Sequence, residues 1–216
     1  MIVFSAILYV AMHVFIVLVP NSKFSHIIRR LMLLPAVGSV FYTQIYKIFH
    51  WYYFIASFPI SYICYIVSCF IIDSEVTKKS FFLQVPIRIS GTLKKAYHKK
   101  LLHNFYSSTV EELTYRGLLF HCVFQLTNSK LIAGIIITIL FAVAHYFSPM
   151  AMIQRIDIFV FSLIITLLYA LCMDIYMVIV IHIMRNMFVI MQHFYIENQK
   201  QQRLNLFYRK MKEARK

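Results

Sequence analysis

Acidic residues are scarce in this chain: eight Asp and Glu stand against 22 Lys and Arg, for a formal net charge of +14. Charge of either sign is thin, at 14% of 216 residues, where ordinary soluble domains carry about a quarter. Glycine (4) and proline (5) are few and no segment repeats, which argues against a transmembrane barrel and a solenoid. What is abundant is apolar: 61% of residues are hydrophobic and the mean hydropathy is +0.71. A soluble fold of this size cannot hide that much apolar surface, so disorder and a soluble enzyme are both excluded. An all-α, polytopic membrane bundle is the reading consistent with size, with one integral membrane domain over 1–194 and a basic tail over 195–216. In a soluble protein the positive excess would suggest nucleic acid. Here the basic residues punctuate apolar runs, which points to a bilayer with anionic headgroups instead.

The four cysteines (Cys64, Cys69, Cys122, Cys172) sit in apolar stretches without C-x-x-C spacing, so neither a thiolate zinc site nor a redox pair is indicated and buried, inert thiols are expected. Met1 to Pro20 carries no charge and no small-residue cleavage site, and reads as a first membrane helix rather than a signal peptide.

A membrane span needs about 20 mostly apolar residues. Apolar runs give seven candidates: 2–20, 31–48, 51–72, 107–126, 131–148, 156–173 and 175–194. Pro35, Gly38, Gln44 and Lys47 interrupt the second, which either spans or re-enters. With seven spans, the loops 21–30, 73–106 and 149–155 and the tail 195–216 share one face and hold 18 Lys and Arg, while the opposite loops hold Lys130 alone. That asymmetry places the C-terminus in the cytoplasm and the N-terminus outside. The long segment 73–106 contains Lys94 to Lys100 followed by Leu101 and Leu102, and 92–104 is either an interfacial amphipathic helix or a solvated basic loop. Trp51, Tyr52 and Tyr53 read as an aromatic belt at the outer end of the third span, and Asp157 and Asp174, at span ends, read as solvated.

Ionisable residues inside spans cost about 2.5–3.5 kcal/mol each even on a lenient insertion scale, so each is a functional candidate. Three patterns collect them: Glu111-Glu112-x-x-x-Arg116, Phe141-x-x-x-His145 and His182-x-x-x-Asn186. All fall at the cytoplasmic end or inner half of their spans, so they can meet there although they come from three helices. Glu112 and Arg116, at i and i+4, are spaced to pair, which leaves Glu111 about 100° around the helix for chemistry. His182 and Asn186, also at i and i+4, place an imidazole and an amide on one face, two donors suited to an oxyanion. A carboxylate with a histidine from another helix can polarise a water. The bland alternatives are a structural salt bridge for the first motif, a packed or interfacial histidine for His145, and interhelical polar glue for His182 and Asn186. The remaining histidines have no partner pattern.

In that order and on predicted spans, the three motifs resemble the CAAX-protease and bacteriocin-processing (CPBP, or Abi) family over residues 105–194, the motif-bearing core. Gly117 directly after Arg116 looks more like the bacterial branch than the eukaryotic CAAX prenyl endoprotease. The resemblance implies an intramembrane endopeptidase in which Glu111 and His145 activate water, His182 and Asn186 stabilise the tetrahedral intermediate, and Glu112 and Arg116 support them from behind. It implies a peptide or lipid-modified protein as substrate, and a plasma membrane if the host is bacterial or the endoplasmic reticulum if it is eukaryotic. Eight spans are usual in the family, against seven here. Members are often labelled metalloproteases. H-E-x-x-H is absent, and metal-free glutamate catalysis is preferred over zinc held by Glu111, His145 and His182. The competing classes are a non-catalytic peptide-binding or bacteriocin-immunity protein of the same fold, and a small transporter using the Glu/His cluster as a proton relay, for which no inverted repeat is visible.

Overall fold

The computed structural model describes residues 49–72, 95–146 and 151–192, together with Gly38. Every regular element among them is helical. In chain order these are α1 (Trp51–Ile72), α2 (Lys95–Glu112), a π-helical segment (Leu113–Leu119), α3 (Phe120–Thr127), α4 (Lys130–Tyr146), α5 (Met152–Cys172) and α6 (Ile175–Gln192). By length and composition α1, α5 and α6 can each cross a bilayer, and α4 is a shorter apolar helix. The expected spans 51–72, 131–148, 156–173 and 175–194 coincide with α1, α4, α5 and α6 to within a few residues. The expected spans 2–20 and 31–48, apart from Gly38, and the tail 195–216 lie outside the described residues.

The expected span 107–126 is part of something longer. α2, the π segment and α3 follow one another without a break from Lys95 to Thr127. At about 1.5 Å per residue such a helix reaches roughly 45–50 Å, against a hydrocarbon core of about 30 Å. Its α2 end carries the exposed Lys99 and Lys100. The stretch 92–104, expected as an interfacial amphipathic helix or a solvated basic loop, is helical from Lys95 onward and continues into the rest of this helix.

Two chain reversals are made by left-handed residues. α3 stops at Asn128 (φ 53°), whose N–H donates to the Phe124 carbonyl at 2.8 Å, and α5 stops at Met173 (φ 54°), whose N–H donates to the Tyr169 carbonyl at 2.7 Å. Asp174 then caps α6 by accepting the Met177 N–H at 3.1 Å, and accepts the His50 N–H at 3.0 Å in front of α1. α1 and α6 therefore start side by side and run parallel. The solvated Asp174 expected from the sequence is instead buried, because it serves two helix starts at once.

The core is built where α5 meets α4 and α1. Tyr115, Leu119, Phe120, Ile137, Phe141, Tyr169 and Val178 form its larger part, and Cys64, Phe161, Ile165, Met177 and Ile181 a second cluster between α1, α5 and α6. Around it the distribution of polarity is inverted. Ile55, Phe58 and Ile63 of α1, Leu131, Ile135 and Ile139 of α4, and Phe159, Leu167 and Leu171 of α5 point outward, while Glu112, Arg116, Asp157, His182 and Arg185 are inside. Soluble proteins rarely expose continuous apolar surface on this scale, and lipid removes the penalty for doing so. Trp51 and Tyr52 are exposed at the start of α1, as a membrane-interface belt requires. Cys64, Cys69 and Cys122 are buried free thiols, and Cys172 is half-buried.

Candidate active site

Glu111 and Glu112 close α2 just where the helix widens into its π turns, and Arg116 lies within them. π segments recur at functional sites because the wider turn re-aims side chains that a regular helix would place elsewhere. Glu112 and Arg116 are both fully buried. Arg116 Nη1 donates to Glu112 Oε1 at 3.2 Å, as the i, i+4 spacing predicts. The rest of the guanidinium is spent on α5: Nη2 donates to Ser162 Oγ at 2.9 Å and Thr166 Oγ1 at 3.0 Å, and Nε to Thr166 Oγ1 at 3.2 Å. Its face rests 4.6 Å from the Phe141 ring centroid.

The same Glu112 oxygen also accepts His182 Nδ1–H at 2.6 Å. A carboxylate only accepts, so Nδ1 carries the hydrogen and Nε2 presents a lone pair when the ring is neutral. His145 is set in the same way: Nδ1 lies 2.8 Å from the Phe141 carbonyl, another pure acceptor, which turns its Nε2 outward. Both Nε2 atoms face one carboxylate, with Glu111 Oε2 3.8 Å from His182 and 3.9 Å from His145. Those separations exceed a direct hydrogen bond, and three acceptors facing one another leave room for a small donor between them. Glu111 and His145 are about one-fifth exposed, so the centre is reachable from outside the bundle.

Phe141 is the floor of this site. Its ring lies 4.5 Å from that of His145 and 6.2 Å from that of His182, and Phe161 closes the other side of His182 at 5.1 Å. The aromatic position of the second motif thus fixes both imidazoles and the arginine through ring contacts.

Asn186 sits one turn beyond His182 and bonds elsewhere: Oδ1 accepts Arg185 Nη1–H at 2.9 Å, and Nδ2 donates to Ser108 Oγ at 3.3 Å. Arg185 in turn donates from Nη2 to Asp157 and to Ser68 Oγ (2.8 Å), and lies 4.7 Å over the Phe161 ring. Asp157, expected solvated from its place at a span end, is buried in this pair. Sequence reading missed it, and charge balance is the signal that could have found it. An arginine inside a span needs a counter-charge at its own depth, and Asp157 is the acid that the sixth span supplies there. His50 and His121, which showed no partner pattern, are engaged with Asp174 and with the Tyr169 hydroxyl (2.9 Å).

Among the described residues no group of three His, Cys, Asp or Glu side chains is arranged to hold a metal ion. Ligands at about 2.0–2.1 Å on a tetrahedral zinc stand roughly 3.4 Å apart, closer than Glu111 stands to either imidazole.

The structure brings Glu111, Glu112, Arg116, His145 and His182 into one constellation and sets Asn186 beside it through Ser108, three residues before Glu111. No curated protein and no solved structure matches the chain. Residues 100–188, which contain all three motifs and make up less than half of the chain, match the family model for type II CAAX prenyl endopeptidase Rce1-like proteins, so that stretch is similar to that family.

Proposed function

We propose that the protein is an intramembrane endopeptidase that hydrolyses a peptide bond with a water activated by Glu111. The observation that carries this reading is the Glu111 carboxylate facing the Nε2 atoms of two histidines whose other nitrogens are already occupied. A water placed among these three acceptors donates to Glu111 and to His145 and points its own lone pair away from them. As its oxygen bonds to the substrate carbonyl carbon, its proton passes to Glu111. The carbonyl π electrons move to oxygen, which becomes the oxyanion. The Asn186 amide donates to that oxyanion, and so does His182 Nε2 on a ring that has taken up a proton from solvent before the attack, with Glu112 behind it as counter-charge. The tetrahedral intermediate then collapses, the C–N bond breaks, and the proton held by Glu111 goes to the leaving nitrogen. Arg116 keeps Glu112 in place and takes no part in proton transfer.

The substrate in this reading is a prenylated CAAX-type C-terminus or a peptide precursor, reached from the cytoplasmic side. No metal enters the mechanism. The test is cleavage of a farnesylated CAAX peptide and a leader-type peptide by the full-length protein in detergent, with and without chelator. Wild type is expected to cleave, and chelator to leave the rate unchanged. Glu111→Gln should reduce turnover by about 10²–10⁴-fold, the contribution of a positioned general base. Product formed equally by wild type and Glu111→Gln overturns the mechanism. Equal peptide binding by both with no product from either would identify a non-catalytic peptide-binding protein.

A further inference from the structure

Arg185 belongs to none of the three motifs, yet it is buried in the same end of the bundle and touches one of their members. An asparagine amide has two orientations that fill the same space, and only its partners decide between them. For Asn186 both sides are decided. A guanidinium has only N–H donors, so the atom 2.9 Å from Arg185 Nη1 must be the amide oxygen. On the opposite side, Ser108 Oγ spends its own hydrogen on Asn104 Oδ1 at 3.1 Å and so accepts from Asn186 Nδ2 at 3.3 Å. Asn104 is itself oriented by donating Nδ2–H to the Ile183 carbonyl at 3.2 Å. The chain of donors and acceptors closes without contradiction.

Arg185 cannot swing away from this duty. Asp157 of α5 accepts from Nη2, and Ser68 of α1 accepts from Nε at 3.1 Å and from Nη2 at 2.8 Å, while the Phe161 ring lies across the guanidinium face. Two helices thus grip the arginine and the arginine grips the amide oxygen. The consequence is directional: Nδ2, the donor end, is turned to the Ser108 side, on the helix that carries Glu111.

We propose that Arg185, clamped by Asp157 and Ser68, is a positioning residue that locks the Asn186 amide with its donor end toward the reacting centre. This rests on the reading that Asn186 donates to the oxyanion. Without the clamp the amide populates its flipped orientation, which presents an oxygen lone pair to a developing negative charge.

The test uses the full-length protein in detergent and the variant R185M/D157L, which removes both charges together and leaves no buried ion unpaired. Turnover is expected to fall about tenfold or more with KM little changed, since a donor aimed at the transition state is lost part of the time. In the Asn186→Ala background the same double substitution should cost nothing further. A second readout does not depend on cleavage. The side-chain amide proton pair of Asn186, identified by its loss in Asn186→Ala, should be sharp in wild type and split or broadened in R185M/D157L. The proposal is overturned if turnover or the amide signal stays at wild type in R185M/D157L, or if the loss adds to that of Asn186→Ala. Failure of the underlying reading looks different: wild type cleaves nothing, or Asn186→Ala cleaves as fast as wild type.

Discussion

Glu111 and Glu112 are adjacent in sequence and chemically alike, and their surroundings give them opposite roles. Glu112 is fully buried, with one oxygen shared by Arg116 and His182 and the other, Oε2, without a hydrogen-bond partner among the described residues. Among the described residues Glu111 makes only long contacts, and it is partly exposed. The two should therefore separate in a stability measurement. Glu112→Gln leaves Arg116 as a buried charge without its counter-ion and puts two amide hydrogens where an unpartnered oxygen was. It should destabilise by about 3–5 kcal/mol, the usual cost of breaking a buried pair. Glu111→Gln should leave thermal stability near wild type while removing activity. A thiol-reactive fluorophore reads this directly, because Cys64, Cys69 and Cys122 are buried and become reactive only on unfolding. Equal midpoints for the two variants would mean that Glu112 is not the structural member. The Glu112–Arg116 contact was legible in the sequence because both partners lie on one helix at i, i+4. The Glu112–His182 and Arg185–Asp157 bonds were not, since each joins two helices whose relative rotation no local spacing encodes.

At the scale of elements, the sequence's apolar runs located α1, α4, α5 and α6, because the length of a bilayer crossing is a strong constraint. They gave no sign of the π segment. A seven-residue widening leaves composition untouched and alters only the angle per residue, which an all-apolar stretch such as Leu118-Leu119-Phe120 does not display. Yet that angle decides where Glu111 points. Adding one residue to Leu113–Leu119, which is already widened, would turn α2 by about 100° relative to α3. The carboxylates would leave the histidines. Insertion of an alanine after Leu118 is expected to preserve membrane insertion and helical circular dichroism while lowering cleavage at least about 10²-fold, the scale of loss for misplaced catalytic groups. Activity retained in the insertion would mean that α2 can re-register and that the π turns do not set the site.

For the molecule as a whole, the direction of insertion follows from which ends of the helices share a side. Asp174 joins the starts of α1 and α6, while Ser68 near the end of α1 meets Arg185 of α6 and Asp157 near the start of α5. The site end of the bundle is thus the end where α1 and α6 finish and α5 begins. Arg155 lies at that end, and so do the exposed Lys99 and Lys100 at the head of the long helix, whereas Lys130 marks the opposite end beside the Asn128 turn. Basic residues favour the cytoplasmic side, so the site should open there and the Asn128 turn should lie outside. This is testable in intact cells with a membrane-impermeant maleimide, in a background where the half-buried Cys172 is replaced by Ser. Asn128→Cys should label at once, and Lys99→Cys only after the membrane is opened. The opposite pattern would invert the protein and move its site to the outer leaflet. A prenylated cytoplasmic C-terminus could not reach it there, so the labelling result bears on the substrate as directly as on the topology.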